Sequence, residues 1–394
     1  MIETGTQDAL REEVYINPDA NNASIIQISV LVPCYNASAT LQQCLDSIRS
    51  QTEKRLDIIC INDGSTDDTL AILERNAAQD KRISIIDKPN AGYGAALNDG
   101  LNAARGQWIS IVEADDWIDM GMYFSMLVFF FGTREDQTGR IDIIKTPYWR
   151  IVNAGQGKER RLNCAYRKNV NPSTQPFRIA EGSELLAHHP SIWSALYRRE
   201  FLEEERIRLR ETPGASWADN LFLLDTLLRA GTILYLDQPF YCYREDTPGQ
   251  VAEFTRTHPL LPFERWQEML DIIEDVGGLG GAKDTIDSRI LSAHYLRGFA
   301  HLDDIQNVGL LEDEAVATAV KAMFERMDAD LVLSEPRLSP QEKELFLRLR
   351  GLPERDFDSR EYNRHLLRKG LRSLISDGPA NTLGSMRRFL GKRH

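Results

Sequence analysis

The chain of 394 residues is longer than one typical domain, and its hydrophobic content of 42% suffices for a sizeable core. The net charge of −12 argues against a general nucleic-acid-binding protein, because a polyanion binds to a basic surface. Five cysteines without a Cys-x-x-Cys spacing favour neither a disulfide framework nor a zinc site, so we expect a cytoplasmic protein. The acidic N-terminal segment and the short apolar run 122–131 predict neither a signal peptide nor a membrane span.

The first part of the chain alternates β-branched runs with helical periodicity. Four runs predict strands: 25–32, 56–61, 83–87 and 108–112. Apolar residues between them recur at helical spacing, and Ser65 with Asp68 has the form of a capping box. Strands that alternate with helices form parallel βαβ units, and ligands bind beyond the carboxyl ends of such strands. Four polar segments fall at that edge: 33–36, 62–66, 88–94 and 113–117.

The fourth polar segment carries three carboxylates, Glu113, Asp115 and Asp116, at the end of a buried strand. Like charges this close repel, and a divalent cation that holds a phosphorylated ligand would neutralise them. The alternative is a solvated acidic turn, but the other polar segments at the same edge favour the cation site. Gly92 and Gly94 either let the backbone approach a ligand or permit close helix packing, and they lack the third glycine of a dinucleotide fingerprint.

Strand and helix signals continue beyond Trp117, as follows: helix 122–131, strand 141–145, polar loop 153–175, strand 192–197, helix 217–228 and strand pair 232–244. Asp219 lies in the first turn of its predicted helix, where an acid often does no more than complement the helix dipole. The adjacent His188 and His189 have no third ligand at a recognisable spacing, so we expect no metal site there.

Helical periodicity dominates from residue 258 onwards, with five predicted helices: 263–275, 283–301, 310–328, 339–350 and 360–376. We expect a flexible segment 1–24, an α/β domain 25–257 and a helical region 258–394 with a basic tail. Leu367 and Leu371 share one face of the last predicted helix with Leu374 and Ile375. This pattern is compatible with peripheral contact to an anionic membrane, and the alternative is a docked helix with a solvated basic face.

An ordered set of motifs resembles the family 2 glycosyltransferases of the GT-A fold. The motifs are V-P-C-Y-N at 32–36, I-N-D-G-S-T-D-D-T at 61–69, K-P-N-A-G-Y-G-A-A-L-N at 88–98, V-E-A-D-D-W at 112–117, I-W-S-A-L-Y-R-R-E-F-L at 192–202, P-G-A-S-W-A-D-N at 213–220 and Y-C-Y-R at 241–244. The resemblance implies a Rossmann-like mixed sheet flanked by helices, with a nucleotide-binding half at 25–120 and an acceptor half at 121–257. It also implies an inverting transfer of one sugar from a nucleotide-diphosphate sugar, most often UDP-linked, to a glycan or lipid-linked hydroxyl acceptor in cell-surface glycan synthesis.

The resemblance further implies roles for individual residues. The residues implied to bind the nucleotide sugar are Pro33, Tyr35, Asn36, Asp63, Lys88, Asn90, Gly92, Asn98, Glu113, Ala114 and Asp116. Asp115 matches the acid that binds Mn²⁺ or Mg²⁺ on the diphosphate, and Asp219 matches the catalytic base. The implied acceptor side consists of Trp193, Trp217, Tyr243 and Arg244.

Two positions depart from the family pattern, because Glu113 replaces the first acid of Asp-x-Asp and Ala218 replaces the acid that commonly precedes the base. The Q-x-x-R-W signature of processive synthases is absent from the sequence, which favours addition of one or few sugars. A sugar nucleotidyltransferase is an alternative, although it would carry G-x-G-T-R after the first strand instead of residues 33–36. A catalytically silent module that binds nucleotide sugars is a second alternative.

Overall fold

A computed structural model of the protein describes residues 27–133, 140–212, 217–245, 258–276, 313–327, 329–336 and 338–376. The predicted flexible segment 1–24 and the predicted helix 283–301 lie outside these residues.

Strands and helices alternate through the first part of the chain, as the periodicity predicts. The strands are β1 Ile28–Cys34, β2 Leu56–Asp63, β3 Ile83–Lys88 and β4 Trp108–Ile111. The helices between them are α1 Leu41–Arg49, α2 Thr69–Gln79 and α3 Tyr93–Ala103. All side chains of β1, β2 and β4 are buried, so these strands read as continuous apolar runs, which is typical of a sheet covered on both faces.

Seven strands form the main sheet in the order β10–β6–β9–β4–β1–β2–β3. Its later members are β6 Ile143–Lys145, β9 Ala195–Arg198 and β10 Ile233–Tyr235. Strand β1 pairs in parallel with both β2 and β4, whereas β9 runs antiparallel to β4 and β6, so the sheet is mixed. The order of the strands reverses at β1, and ligands of open α/β sheets bind beyond the carboxyl ends of the strands at such a switch point.

A second sheet of four strands, in the order β5–β11–β7–β8, joins the two halves of the α/β part. These strands are β5 Trp117–Ile118, β7 Tyr148–Val152, β8 Arg160–Asn163 and β11 Tyr241–Arg244. Strand β5 follows the three carboxylates directly and pairs antiparallel with β11. This pairing brings residues 241–244 beside the acidic turn, although more than a hundred residues of chain separate them.

The remaining helices cover the sheet and form the C-terminal part. They are α4 Met122–Gly132, α5 Arg199–Glu204, α6 Ala218–Arg229, α7 Leu261–Asp275, α8 Glu314–Glu325, α9 Ala329–Ser334, α10 Pro340–Arg350 and α11 Ser359–Ser376. Helix α7 packs on α6 and on α8, so the helical region continues the core of the α/β part. None of the described helices combines the length and the apolar composition that crossing a bilayer requires.

The structure corrects three sequence-based predictions. Ser65 and Asp68 form no capping box: Ser65 accepts the Asn36 N–H, while Asp68 precedes α2 without a side-chain capping bond. The predicted loop 153–175 contains β8, an edge strand with exposed arginines that only its antiparallel pairing with β7 reveals. The strand predicted at 192–197 starts at Ala195, because residues 191–194 form a buried turn.

Candidate functional site

The loops after β1 and β2 are tied together at the switch-point edge. The side-chain oxygen of Asn36 accepts the Thr66 N–H at 2.8 Å, and Asn36 adopts a positive φ of 49°. Pro33 is buried within β1, whereas the Tyr35 side chain is 57% exposed. The connected loops therefore leave the Tyr35 ring exposed at the carboxyl end of β1, and the implied stacking of a base on this ring remains a prediction.

Asp63 organises the loop that follows β3. Its two carboxylate oxygens accept the N–H groups of Ala91 and Gly92, each at 2.9 Å, and the Asn90 amide donates to the Asp63 carbonyl at 3.0 Å. The Lys88 amine lies 2.6 Å from Asp99 and 3.9 Å from Asp63. These contacts position the 88–92 loop against the end of β2, while the implied contact of Asp63 with a nucleotide base remains a prediction.

The glycines of this loop serve two separate needs. Gly92 has a φ of +95° at the start of α3, a conformation that L side chains rarely adopt. A Cβ on Gly94 would lie 2.0 Å from the Arg210 carbonyl oxygen, so this glycine permits the crossing of segment 206–211. The buried Asn98 amide bonds with the backbone of Leu209 and with Glu211, each at 2.9 Å. Its hydrogen-bonding groups therefore face segment 206–211, while the implied contact of Asn98 with the nucleotide remains a prediction.

We expect Gly94→Ala to destabilise the protein by about 1–3 kcal/mol, because the added methyl group forces two backbone segments apart. Urea unfolding with an unchanged m-value would measure this loss. Gly132→Ala is the matched control, since a Cβ there meets nothing within 4 Å. Equal stability of the two variants would show that segment 206–211 can shift freely.

We call Glu113, Asp115 and Asp116 the acidic cluster. Two of its three carboxylates accept hydrogen bonds from tyrosine hydroxyls. The Tyr93 hydroxyl donates to Glu113 at 2.5 Å, and the Tyr241 hydroxyl donates to Asp116 at 2.9 Å. Burial raises the pKa of Glu113 to about 8 with added repulsion from the Asp115 and Asp219 charges, and the Tyr93 bond opposes this rise. Burial likewise raises the pKa of Asp116, whose second oxygen accepts a backbone N–H at 2.7 Å.

Asp115 is the exposed member of the acidic cluster. Desolvation by the surrounding protein raises the pKa of the Asp115 carboxyl, and a backbone hydrogen bond and the Arg244 guanidinium oppose that rise. Arg244 donates to the Asp115 carbonyl at 2.9 Å and lies over the Trp117 ring at 5.1 Å. Ala114, between the acids, is buried and accepts the Thr40 hydroxyl at 3.0 Å through its carbonyl.

The carboxylates of the acidic cluster fit a cation that also takes ligands from a bound molecule. No three acidic, histidine or cysteine side chains converge on one point within the described part of the chain. Mg²⁺ at phosphate-binding sites typically takes one or two carboxylates and completes its shell with phosphate oxygens and water. An exposed Asp115 beside two engaged carboxylates suits this arrangement, with the remaining ligands supplied by a diphosphate.

Asp219 lies close enough to the acidic cluster for their charges to interact. It occupies the first turn of α6, where one carboxylate oxygen accepts the Asn220 N–H at 2.9 Å. Burial raises the pKa of Asp219 to about 6. Its charge contributes to the raised pKa values of Glu113, Tyr93 and Tyr243, so the fold brings the first turn of α6 near the carboxyl end of β4. Trp217 precedes α6 in a left-handed conformation with a φ of 58°.

Five rings form a surface that we call the aromatic wall: Tyr148, His189, Trp193, Tyr241 and Tyr243. Trp193 stacks on Tyr241, at 4.0 Å and 20°, and on Tyr243, at 5.3 Å and 14°. Because Trp193 is only 4% exposed, its own faces are covered. The half-buried Tyr243 and the exposed His189, 5.1 Å apart, are the rings that a ligand can reach.

Tyr93 and Tyr241, which hydrogen-bond to the acidic cluster, are residues that sequence reasoning did not single out. Both lie inside quoted motifs, at 88–98 and 241–244, yet a tyrosine in such a motif gives no sign of its partner. The available signal was chemical: a buried carboxylate needs hydrogen-bond donors, and few lie near Glu113 or Asp116 in sequence.

Comparisons with known proteins bear on the family and on the fold. A family profile described as Glycosyl transferase family 2 matches residues 29–205. The uncharacterized glycosyltransferase EpsJ of Bacillus subtilis (strain 168) is 31% identical over 239 residues, which cover 57% of this chain and 63% of EpsJ. The glycosyltransferase GlyA of Streptococcus pneumoniae is 31% identical over 221 residues, which cover 55% of this chain and 30% of GlyA. The aligned region thus spans less than two thirds of either relative.

The fold is also similar to a crystal structure of S. aureus TarS 1–349 in complex with UDP-GlcNAc, with a TM-score of 0.63 and 17% sequence identity. The match covers 89% of this chain and 91% of that one, so it includes part of the helical region. The resemblance in the ordered motifs is therefore confirmed. The chain carries a glycosyltransferase family 2 domain, matched at residues 29–205, and has the GT-A fold.

Proposed function

We propose that this protein transfers one sugar from a nucleotide-diphosphate sugar, first of all a UDP sugar, to a hydroxyl of a glycan or lipid-linked acceptor with inversion at the anomeric carbon. The observation that carries the proposal is that Asp219 lies close enough for its charge to act on Glu113 of the acidic cluster, at the switch point of the sheet. A carboxylate of raised pKa near carboxylates that suit a cation and a diphosphate supports a transfer reaction. The family 2 domain supports the reaction class, and cell-surface glycan synthesis is the setting that we propose for it.

The donor would bind along the carboxyl ends of β1 to β4. Tyr35 offers an exposed ring for stacking, and the 88–92 loop, fixed by Asp63, lets the backbone pass close to the nucleotide. Asp115 would hold Mn²⁺ or Mg²⁺ on the diphosphate, and the bound cation would neutralise charge on the departing nucleotide. Arg244, fixed to the Asp115 carbonyl, supports the same turn and adds a positive charge beside it.

Asp219 would act as the general base on the acceptor side. With a pKa of about 6 its carboxylate is largely ionised at neutral pH and is more basic than an ordinary aspartate. The Asn220 N–H holds one oxygen, so the other is the one to take the hydroxyl proton as the new C–O bond forms. Asp219 and Arg244 lie beyond the residues that match the family profile, so their roles rest on the cleft geometry.

The acceptor would lie along Tyr243 and Arg244, with Trp217 at the start of α6 beside it. Burial raises the pKa of Tyr243 to about 12, and the charges of Asp116, Asp115 and Asp219 add to this rise, so its ring lies near both the proposed cation site and the proposed base. Aromatic faces are suitable surfaces for the apolar face of a sugar ring. Trp193, which the sequence predicts on the acceptor side, supports Tyr243 by stacking on its ring.

A panel of nucleotide sugars with Mn²⁺, assayed for release of the free nucleotide and for product, tests the proposal. UDP sugars come first, because a structure with this fold was crystallised with UDP-GlcNAc. Nucleotide binding without release, with every donor and with added glycan acceptors, would support a silent binding module instead. Formation of a nucleotide sugar from a sugar phosphate and a nucleoside triphosphate would identify a nucleotidyltransferase.

Helix α11 would also contact an anionic membrane surface. Leu367 and Leu371 are 68% and 60% exposed on this helix, and Arg364 and Arg368 lie within one turn of them. Exposed leucines beside arginines on one helix are typical of a surface that rests on acidic lipid.

We expect Leu367→Ser with Leu371→Ser to lower sedimentation with phosphatidylserine vesicles by about tenfold or more, because each leucine contributes apolar burial of about 1 kcal/mol or more. Phe131→Ser is the matched control, as this exposed side chain lies on α4 without neighbouring arginines on its helix. Sedimentation that is the same for both variants and the unaltered chain would assign α11 a structural role.

A further inference from the structure

Lys145, the last residue of β6, is a buried amine whose hydrogen-bond acceptors are all neutral. Its side chain is 1% exposed. Its nitrogen donates to the Ser191 carbonyl, to the Ser191 hydroxyl at 3.1 Å and to the Ser194 hydroxyl at 2.8 Å. Burial lowers the pKa of Lys145 to about 7, against a small opposing influence of the Cys164 thiol. A buried amine in such surroundings is unfavourable for stability, so its contacts call for another explanation.

All three acceptors belong to the turn that precedes β9, which we call the 191–194 loop. Ser191 has a φ of +38°, a backbone conformation that a residue with a side chain rarely adopts without supporting contacts. The Tyr166 hydroxyl also supports the loop, 2.9 Å from the Ser191 hydroxyl and 3.2 Å from that of Ser194. Lys145 and Tyr166 together hold this unfavourable turn in one conformation.

The 191–194 loop determines the position of Trp193 and, through it, of the aromatic wall. Trp193 stacks on Tyr241 at 4.0 Å and on Tyr243 at 5.3 Å. The Tyr241 hydroxyl accepts the Glu113 N–H at 3.0 Å and donates to Asp116 at 2.9 Å. A continuous series of contacts therefore leads from the Lys145 amine to the backbone and side chains of the acidic cluster.

We propose that Lys145 is a positioning residue. It fixes the 191–194 loop, so that Trp193 stacks on Tyr241 and Tyr243 and holds their rings beside the acidic cluster. An apolar side chain of the same length would fill the space without the cost of burying an amine, but it would not donate hydrogen bonds to the Ser191 and Ser194 oxygens. The consequence for catalysis rests on the proposed transferase function. The positioning itself does not, and it can be measured without any substrate.

Near-UV circular dichroism of Lys145→Met tests the positioning. The chain has six tryptophans, so the Trp193 signal is isolated as the difference between each protein and the same protein carrying Trp193→Phe. We expect Lys145→Met to lose most of this difference signal, because a stacked ring in a fixed environment produces it. Lys343→Met is the matched control: Lys343 is a partly buried lysine that donates to the Leu333 carbonyl at 2.6 Å in the helical region.

A full Trp193 signal in Lys145→Met would overturn the proposal and leave Lys145 as a buried amine without influence on the wall. If Lys145→Met does not fold, Ser194→Ala provides the second test, because it removes one acceptor of Lys145 and leaves the other two. We expect a partial loss of the same signal in this variant, and a full signal there would also contradict the proposal.

The kinetic consequence is measured separately, with whichever donor and acceptor the panel identifies. We expect Lys145→Met to raise the KM for the acceptor more than it weakens binding of UDP with Mn²⁺, because Tyr243 lies on the proposed acceptor side, whereas Tyr241 contacts the acidic cluster only through Asp116 and the Glu113 N–H. If no transfer is detected with any donor, the proposed function fails, but the Trp193 signal still decides the role of Lys145. If a variant that has lost the Trp193 signal keeps the acceptor KM of the unaltered protein, the aromatic wall does not contribute to acceptor binding.

Discussion

Asp219→Asn is expected to lower the rate of sugar transfer by about 10²–10⁴, the usual effect of losing a general base. The asparagine keeps the size of the side chain and an oxygen that can accept the Asn220 N–H. A role limited to the helix dipole would contribute only about 0.3–1 kcal/mol to stability. We therefore expect an unchanged melting temperature and an unchanged affinity for UDP, with the loss confined to kcat.

Asp225→Asn on the same helix is the matched control. Asp225 lies further along α6 and pairs at 2.6 Å with Arg229, one turn after it. The pH profile supplies a second measurement. A base works only when deprotonated, and the pKa of Asp219 is about 6, so kcat/KM should fall as the pH drops through 6. Transfer by Asp219→Asn at the rate of the Asp225→Asn control would place the base elsewhere.

Asp115→Ala is expected to abolish donor turnover. A cation on a diphosphate contributes several kcal/mol of transition-state stabilisation, which corresponds to a loss on the order of 10²–10³ or more. EDTA should inhibit the unaltered protein to a similar extent, and added Mn²⁺ should restore its activity but not that of Asp115→Ala. Binding of UDP offers a readout apart from turnover, because Mn²⁺ should strengthen it in the unaltered protein and not in the variant.

Asp68→Ala is the control for this change, because Asp68 is an exposed acid at the same edge of the sheet whose side chain makes no capping bond. It should retain its response to Mn²⁺ and to EDTA. Turnover that persists in EDTA, with Asp115→Ala as active as Asp68→Ala, would show that the acidic cluster needs no cation.

The alternation of strands and helices up to Trp117 could be predicted from the sequence, because buried parallel strands are continuous apolar runs and the helices between them bury one face. Strand β8 could not, since an exposed edge strand has polar residues, and only its pairing with β7 makes it a strand. The antiparallel direction of β9 within the main sheet is likewise a matter of long-range pairing. Hydrophobic periodicity is local and carries no information on which strand lies beside which.

The sequence by itself determined the family resemblance, the edge of the sheet at which we expect a ligand, and Asp115 and Asp219 as the acids to examine. Only the tertiary structure decided that Asp219 lies near the acidic cluster, that Tyr93 and Tyr241 hold two of its carboxylates, and that Asn98 faces segment 206–211. The physical reason is the same for each of them. Motifs follow local backbone requirements, whereas the pKa, exposure and hydrogen-bond partners of a buried polar group depend on elements far away in the chain.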